Sequence, residues 1–343
     1  EMEVTASDPD KDADQEALRY SLHGQGAESE FIIDEVTGKI YAQRTLDREE
    51  RAVWRFVVLA TDEGGEGLTG FTDVIINVWD INDNAPVFTC APSCHGDVAE
   101  NSVVGTSVME MTATDLDDSA VGQNAVLSYR IVGSLDGLFT IDQSGVLSVA
   151  KSLDREKIPQ HHLVVIATDH GIPPLAGSAT VQLSLLDVND NGPEFEAAYS
   201  PVVFENVAGP QVVRLNQTST LLRAMDRDSP ENGPPFHFTI PSDYRYSNDF
   251  YLQDNLNGTA TLTALRMFDR ERQKEFLIPV IMSDSGRPAK TVTSTLTVTI
   301  GDQNDHAHGA GEKKIFINSH RGEKEGRSAS VYPQKLKYAF KLF

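Results

Sequence analysis

The stretch Asp80-Ile81-Asn82-Asp83-Asn84, read as DINDN, places four carboxylate- or amide-bearing side chains in five positions directly behind the apolar run FTDVIINVW (71–79). Taken alone, an Asp/Asn cluster after a strand is a turn, because such side chains hydrogen-bond their own backbone. The cluster is not alone. DVNDN begins at 187 and DQNDH at 302, so the motif recurs after 107 and then 115 residues. LDREE at 46, LDREK at 153 and FDRER at 268 repeat at the same two offsets. A lone Asp after a strand keeps these offsets at Asp62, Asp169 and Asp284, and an Asp-x-Asp recurs at Asp8/Asp10, Asp115/Asp117 and Asp226/Asp228, after 107 and then 111 residues. Matching offsets in separate motifs make the chain three copies of one module.

Each copy reads as strands. Val181, Leu183 and Leu185 alternate with Gln182 and Ser184, and Val292, Leu296, Val298 and Ile300 alternate with polar residues, which is the period of a half-buried strand. Gly, Pro, Asn and Asp punctuate these runs at the spacing of an all-β sandwich, and a module of about 107 residues fits seven short strands in two sheets. No long stretch of helical period appears, and no Gly-rich phosphate loop opens a helix.

The chain has 343 residues, 51 acidic against 29 basic, and a formal net charge of −22. That balance argues against nucleic acid and against an anionic membrane surface as partners, and favours bound cations. With 40% hydrophobic residues there is apolar surface enough to bury, so the acids sit on folded modules. No run of about 20 apolar residues is present, and the first ten residues have no signal-peptide pattern. Cys90 and Cys94 are the only cysteines, too few for a disulfide-built scaffold or a four-cysteine zinc site. They are candidates for a local pair around Pro92, with a free or intermolecular state as the other possibility.

Four motifs in register over residues 1 to about 305 resemble tandem cadherin repeats. The resemblance implies Greek-key β-sandwich repeats with calcium held at each junction. Its ligands would be a Glu near the start of a repeat, the Asp-Arg-Glu, the terminal Asp-x-Asn-Asp-Asn, and the Asp-x-Asp and lone Asp of the next repeat. Repeats are expected over 1–84, 85–191 and 192–305, with a basic tail over 306–343 that weakly resembles the region after the last repeat of type III or invertebrate classical cadherins.

Carried over residue by residue, the second junction is complete. Glu100, Asp154, Glu156, Asp187, Asn189, Asp190 and Asn191 come from the second module and Asp226, Asp228 and Asp284 from the third, with carbonyls from Val188, Asn191 and Asn232. Eight carboxylates among them suit a hard cation that wants six to eight oxygens. The first junction takes Asp47, Glu49, Asp80, Ile81, Asn82, Asp83 and Asn84 with Asp115, Asp117, Asp169 and Asn124. It lacks the Glu, whose counterpart is expected upstream of residue 1; Asp8, Asp10 and Asp62 would then serve a junction with a preceding repeat. In the third terminal motif His306 and His308 replace Asn and Pro, and residues 306–343 contain no Asp. Glu205, Asp269, Glu271, Asp302 and Asp305 are therefore expected to hold one or two ions at most.

Other readings fare worse. DPDKDADQE from Asp8 fails as an EF-hand loop, since Ala13 stands at the Gly position and Arg19 at that of the bidentate Glu. A glycoside hydrolase needs one unique carboxylate pair rather than the same acids in every module. The nine His residues, His161 and His162 included, show no metal spacing and no nucleophile partner. Arg48, Arg155 and Arg270, lying between ligands, are expected to support the acidic loops, and Trp54 and Trp79 to be core or flank. Asn216 and Asn257 head glycosylation sequons.

The functional expectation is a non-enzymatic, calcium-rigidified ectodomain fragment in calcium-dependent cell–cell adhesion. It would sit at the extracellular face of the plasma membrane and bind other cadherin ectodomains homophilically. The competing expectation is a non-adhesive, calcium-stiffened spacer of a signalling or polarity receptor.

Overall fold

A computed structural model describes residues 2–8, 18–133 and 137–305. Asp10, most of the rejected EF-hand stretch and the tail from His306 lie outside them. The chain divides into compact units Glu1–Gly301 and Asp302–Phe343; Asp302 and Asp305 belong to the second, where 302–305 carry no strand.

Within the first unit each sequence module builds its own sheets over its own apolar cluster. The first module has one sheet ordered Met2–Glu3, Lys39–Ala42, Phe31–Ile33, and another ordered Arg19–Gly24, Val53–Thr61, Thr69–Asn77. In the second, Ser128–Val132, Gln160–Thr168, Ala176–Leu186 and Ser93–Ala99 form one sheet, and Phe139–Ile141, Val146–Val149 and Ser107–Glu110 the other. Val87–Phe88, just past the DINDN motif, pairs with Ala113–Thr114. The third module orders Val202–Phe204, Thr291–Gly301, Glu275–Ser283 and His237–Thr239 in one sheet, and a second sheet is built around Thr259–Ala264.

The expected all-β sandwich class holds, and alternation sets which side chains go in. Val181, Leu183 and Leu185 are buried while Gln182 and Ser184 between them are not. Trp54 joins Tyr20, Leu22, Phe31, Ile40, Phe56 and Val58 in the first core. Trp79, at 78% exposure, is a flank residue that projects into solvent. The third core stacks Phe250 on Phe268 at 5.1 Å, with Phe276 edge-on to both, an arrangement that aromatic quadrupoles favour.

The strand that ends each module is its closing strand. In the second module it pairs parallel with the opening strand Ser93–Ala99, Val181 opposite Cys94 and Leu185 opposite Val98. In the third it pairs parallel with Val202–Phe204. Cys90 and Cys94 are disulfide-bonded just where the second module's opening strand begins, and Cys94 is a core residue.

Candidate cation-binding junctions

The DxNDN segments leave their closing strands and carry their side chains into loops of the following module. In the second, Asp187 Oδ2 accepts from the Ser229 amide at 3.0 Å and from Asn232 Nδ2 at 2.6 Å. Asn189 Nδ2 donates to Asp284 Oδ1 at 3.2 Å and to the Pro288 carbonyl at 2.7 Å. Asn191 Nδ2 donates to Asp228 Oδ1 at 2.7 Å and to Asp190 Oδ1 at 2.8 Å. The first junction repeats each link. Asp80 Oδ2 accepts from Asp118 N at 3.1 Å and Asn124 Nδ2 at 2.7 Å; Asn82 reaches Asp169 and Pro173; Asn84 reaches Asp117 at 2.7 Å.

These links set carboxylates against one another. One oxygen each of Glu156, Asp187 and Asp228 lies within 4.8 Å of the others, and the same holds for Glu100, Asp154 and Glu156, for Glu49, Asp83 and Asp117, and for Glu205, Asp269 and Glu271. The first and third of these groups draw acids from two modules. Two full charges at such spacing repel by about 3 kcal/mol at an effective dielectric constant of about 20, a load that a divalent cation removes. Asp47, Asp115, Asp169, Asp190, Asp226 and Asp284 fall in none of the four groups. Asp47 Oδ1 instead accepts from the amides of Glu49 at 2.9 Å and Glu50 at 3.0 Å, and Asp62 Oδ1 from Leu68 N at 2.6 Å.

Proton affinities carry the same strain. Burial, and then the charge of Glu100, push Glu156 up to about 7. Burial likewise raises Asp115 and Asp228, with carboxylates at Asp117 and Asp169, and at Asp226 and Asp187, adding to it. Burial acts to raise Asp187 too, but hydrogen bonds from Ser229, Asn232 and Arg155 outweigh it and hold this group below its ordinary range.

The residues fit a hard cation on one further observation. Buried side-chain oxygens that accept no hydrogen bond include Asn82 Oδ1, Asp115 Oδ2, Asn189 Oδ1, Asp226 Oδ2 and Asp284 Oδ2. A buried oxygen without a partner is costly and rare. Here the unpartnered atoms are acceptors only, and they recur at matching places in both junctions, as the Asn82–Asn189 and Asp115–Asp226 pairs.

Three groups of residues in these junctions go beyond the ligand set read from sequence. Gly171 and Gly286 lie against Asn82 and Asn189, so closely that a Cβ on either glycine would strike the amide. Their signal was present in the chain, a Gly two residues after each lone Asp, as in ATDHG and MSDSG. Asn101, directly after Glu100, donates to Asp190, and Glu205-Asn206 repeats the Glu-Asn pair. The arginines are built into the acid clusters. Arg155 Nε meets Asp187 at 2.6 Å, Nη2 meets Glu156 at 3.1 Å and also donates to the Arg227 carbonyl of the third module at 3.3 Å. Arg48 pairs with Glu49, Asp80 and, in the next module, Asp118.

Of the remaining sequence candidates, Asn216 and Asn257 are exposed in tight turns, Asn216 Oδ1 accepting from Thr218 N and Ser219 N, and Asn257 Oδ1 from Thr259. Val188 enters through its amide, which donates to Glu100.

Serial β-sandwiches whose joints gather unpaired acceptor oxygens from both neighbours define a class of modular protein with cation-type junctions. The chain belongs to the cadherin family: the cadherin domain model matches residues 2–79 and 94–186. It is 35% identical over 341 residues to the neural-cadherin of Drosophila melanogaster and 34% identical over 321 residues to human protocadherin Fat 4. Those alignments cover 94% and 92% of this chain but only 11% and 6% of the relatives, so the chain spans a small part of their length. Among solved structures, mouse cadherin-23 EC22-24 superposes with a TM-score of 0.66 at 30% identity, covering 88% of this chain and 91% of that one. The family is one of adhesion proteins rather than enzymes, and among the described residues no helix is long and apolar enough to cross a membrane.

Proposed function

We propose that this chain is a calcium-rigidified stretch of an adhesion ectodomain and acts in calcium-dependent cell–cell adhesion. The observation that carries the reading is the recurrence, at two junctions, of buried acceptor oxygens with no donor beside crowded carboxylates. Calcium takes six to eight oxygens in flexible geometry and tolerates mixed carboxylate, amide and carbonyl donors, which is this donor set. Bound there, it relieves repulsion between acids of successive modules and fixes the angle between them. The module boundaries that go with this reading fall at 84/85 and 191/192. Glu205, Asp269 and Glu271 form a lesser site in the third module.

The setting that suits such sites is extracellular, where modules bind calcium at about 10⁻⁴–10⁻³ M. Glycans on Asn216 and Asn257 agree with that setting, as does the disulfide. The partners are other cadherin ectodomains, homophilic in the simplest case. Beads coated with the chain test the adhesive part. Clustering with calcium that disappears in chelator supports adhesion, whereas calcium binding by calorimetry without any clustering identifies a stiffened spacer. Absence of calcium binding overturns both.

A further inference from the structure

The third module is longer than the other two in one place. Asp226 and Asp284 stand 58 residues apart, against 54 for Asp115 and Asp169 and for Asp8 and Asp62. The difference falls in the link between His237–Thr239 and Phe250–Asp254, ten residues long where the link between Ser128–Val132 and Phe139–Ile141 has six. That link carries Tyr246 and Asp249, and Tyr246 forms one wall of a pocket of about 570 Å³. Arg266, Arg272 and Gln273 stand around it, and the buried Phe268 and Phe276 form its base. Such a volume lies within the range of about 300–1,000 Å³ that small-molecule sites occupy.

The walls are fixed from within the module. Asp249 accepts from Arg266 Nε at 2.7 Å and Nη2 at 3.0 Å, and the guanidinium lies 4.4 Å over the Phe268 ring. Tyr246 Oη donates to Gln273 Oε1 at 3.3 Å, and Gln273 Nε2 donates to the Glu275 carbonyl at 3.0 Å. Most of what remains unused is donor. Arg266 Nη1 and Nη2 each spend one N–H, Gln273 Nε2 keeps one, and Arg272 keeps its whole guanidinium. Lys157, at the place of Arg272 by the 115-residue offset, closes on Asp154 Oδ2 at 2.6 Å, whereas Arg272 has no ion pair among the described residues. Asp269 is the one carboxylate on the lining, and its Oδ1 accepts the Arg272 amide at 3.1 Å.

We propose that this pocket binds an anionic sugar, a ring bearing a carboxylate or sulfate group within a short acidic oligosaccharide. Arg272 takes the anionic group, since a guanidinium matches two oxygens of such a group with parallel N–H donors. Arg266 and Gln273 donate to ring hydroxyls, and the apolar face of the ring lies toward Met267 and the aromatic base. Donor-rich walls suit a ring covered in acceptors and disfavour a purely apolar ligand, whose burial would leave those donors unmet. The net charge of −22 repels a long polyanion, so the occupant is short or enters by its end.

The test titrates the whole chain by calorimetry with a hyaluronan tetrasaccharide, which carries carboxylates alone, and a heparin tetrasaccharide, which carries sulfates as well. Chitotetraose, inorganic sulfate and a glutamate-rich peptide serve as comparisons, and each titration is run in chelator and in calcium. Binding of at least one acidic sugar in both media is expected, the better of the two identifying the anion. Arg272→Gln is expected to weaken it at least about tenfold with an unchanged melting temperature, Arg272→Lys to restore part of the loss, and Lys157→Gln to change nothing. Failure of both acidic sugars, equal binding of chitotetraose, or full affinity in Arg272→Gln overturns the proposal. Inorganic sulfate as tight as the sugars identifies an adventitious ion only, and a glutamate-rich peptide as tight as the sugars identifies a peptide site; either outcome overturns it too. Binding confined to calcium would assign the anion to an ion held by Asp269 and its neighbours instead of to Arg272, so the chelator arm stands apart from the calcium reading.

Discussion

Asp228 accepts both the amide and the side chain of Asn191 and stands in one acid group with Glu156 and Asp187, so it joins the third module to the second. Asp228→Asn keeps the shape and removes the charge. It is expected to lower calcium affinity at the second junction by at least about tenfold while thermal unfolding of the sandwiches shifts little, which calorimetry and circular dichroism check together. Gly286 acts one step further out. A methyl there strikes Asn189 and pushes it off Asp284 and the Pro288 carbonyl. Gly286→Ala is therefore expected to cost about 1–3 kcal/mol of stability and to weaken calcium binding several-fold, whereas Gly70→Ala, with open space around it, does neither. An unchanged calcium isotherm in Gly286→Ala would remove Asn189 from the set of groups that shape the site. Repetition made the junction acids legible in the sequence, because acids that recur at fixed offsets mark equivalent places in successive modules. The glycines were visible in the same motifs and carried no meaning until the neighbouring amide was in view, since the close approach is a three-dimensional fact.

Strands were legible for a related reason. Alternation in QLSLL forces one set of side chains inward, and that set is the buried one. What alternation does not encode is which strand lies alongside. The parallel pairing of Ser93–Ala99 with Ala176–Leu186 joins segments more than 80 residues apart, and SCHGDVA has too few apolar residues to announce itself as a strand. Its stability comes from the edge it completes and from burial of Cys94 and Val98. Within Gln160–Thr168 the half-buried His161 lies edge-on to Phe139 at 5.4 Å. Burial, and then the charge of His162, hold its pKa below the ordinary value. The unfolded chain then binds more protons than the folded one from about pH 6.5 down to that depressed value, so stability is full above this window and is lost as pH falls through it. Thermal melts of the chain in saturating calcium are expected to show that decline, and His161→Gln to reduce its slope; an equal slope in the variant would place its origin elsewhere.

Across the whole molecule the net charge of −22 is not spread evenly in effect, because its costly part is concentrated where modules meet. Without a cation, Arg155 and Arg48 are the only positive groups among the described residues seen in ion pairs with the junction acids Asp80, Asp187, Glu49 and Glu156, and each also reaches across to the next module. One guanidinium cannot balance three or more carboxylates, so the cation-free junction keeps its hydrogen bonds under repulsion that salt only partly screens. The sandwiches stand apart from this load, since their cores are apolar clusters with no junction acid in them. Chelation should thus loosen the joints and leave the modules folded. Limited proteolysis in chelator is expected to cut first within Asp187–Asn191 and Asp80–Asn84, with calcium protecting both. Arg155→Ala, which removes the built-in countercharge, is expected to hasten cleavage at the second junction in chelator and to change it little in saturating calcium. Cleavage inside the sandwiches before the junctions would locate the weak point in the cores and overturn electrostatic control of the joints.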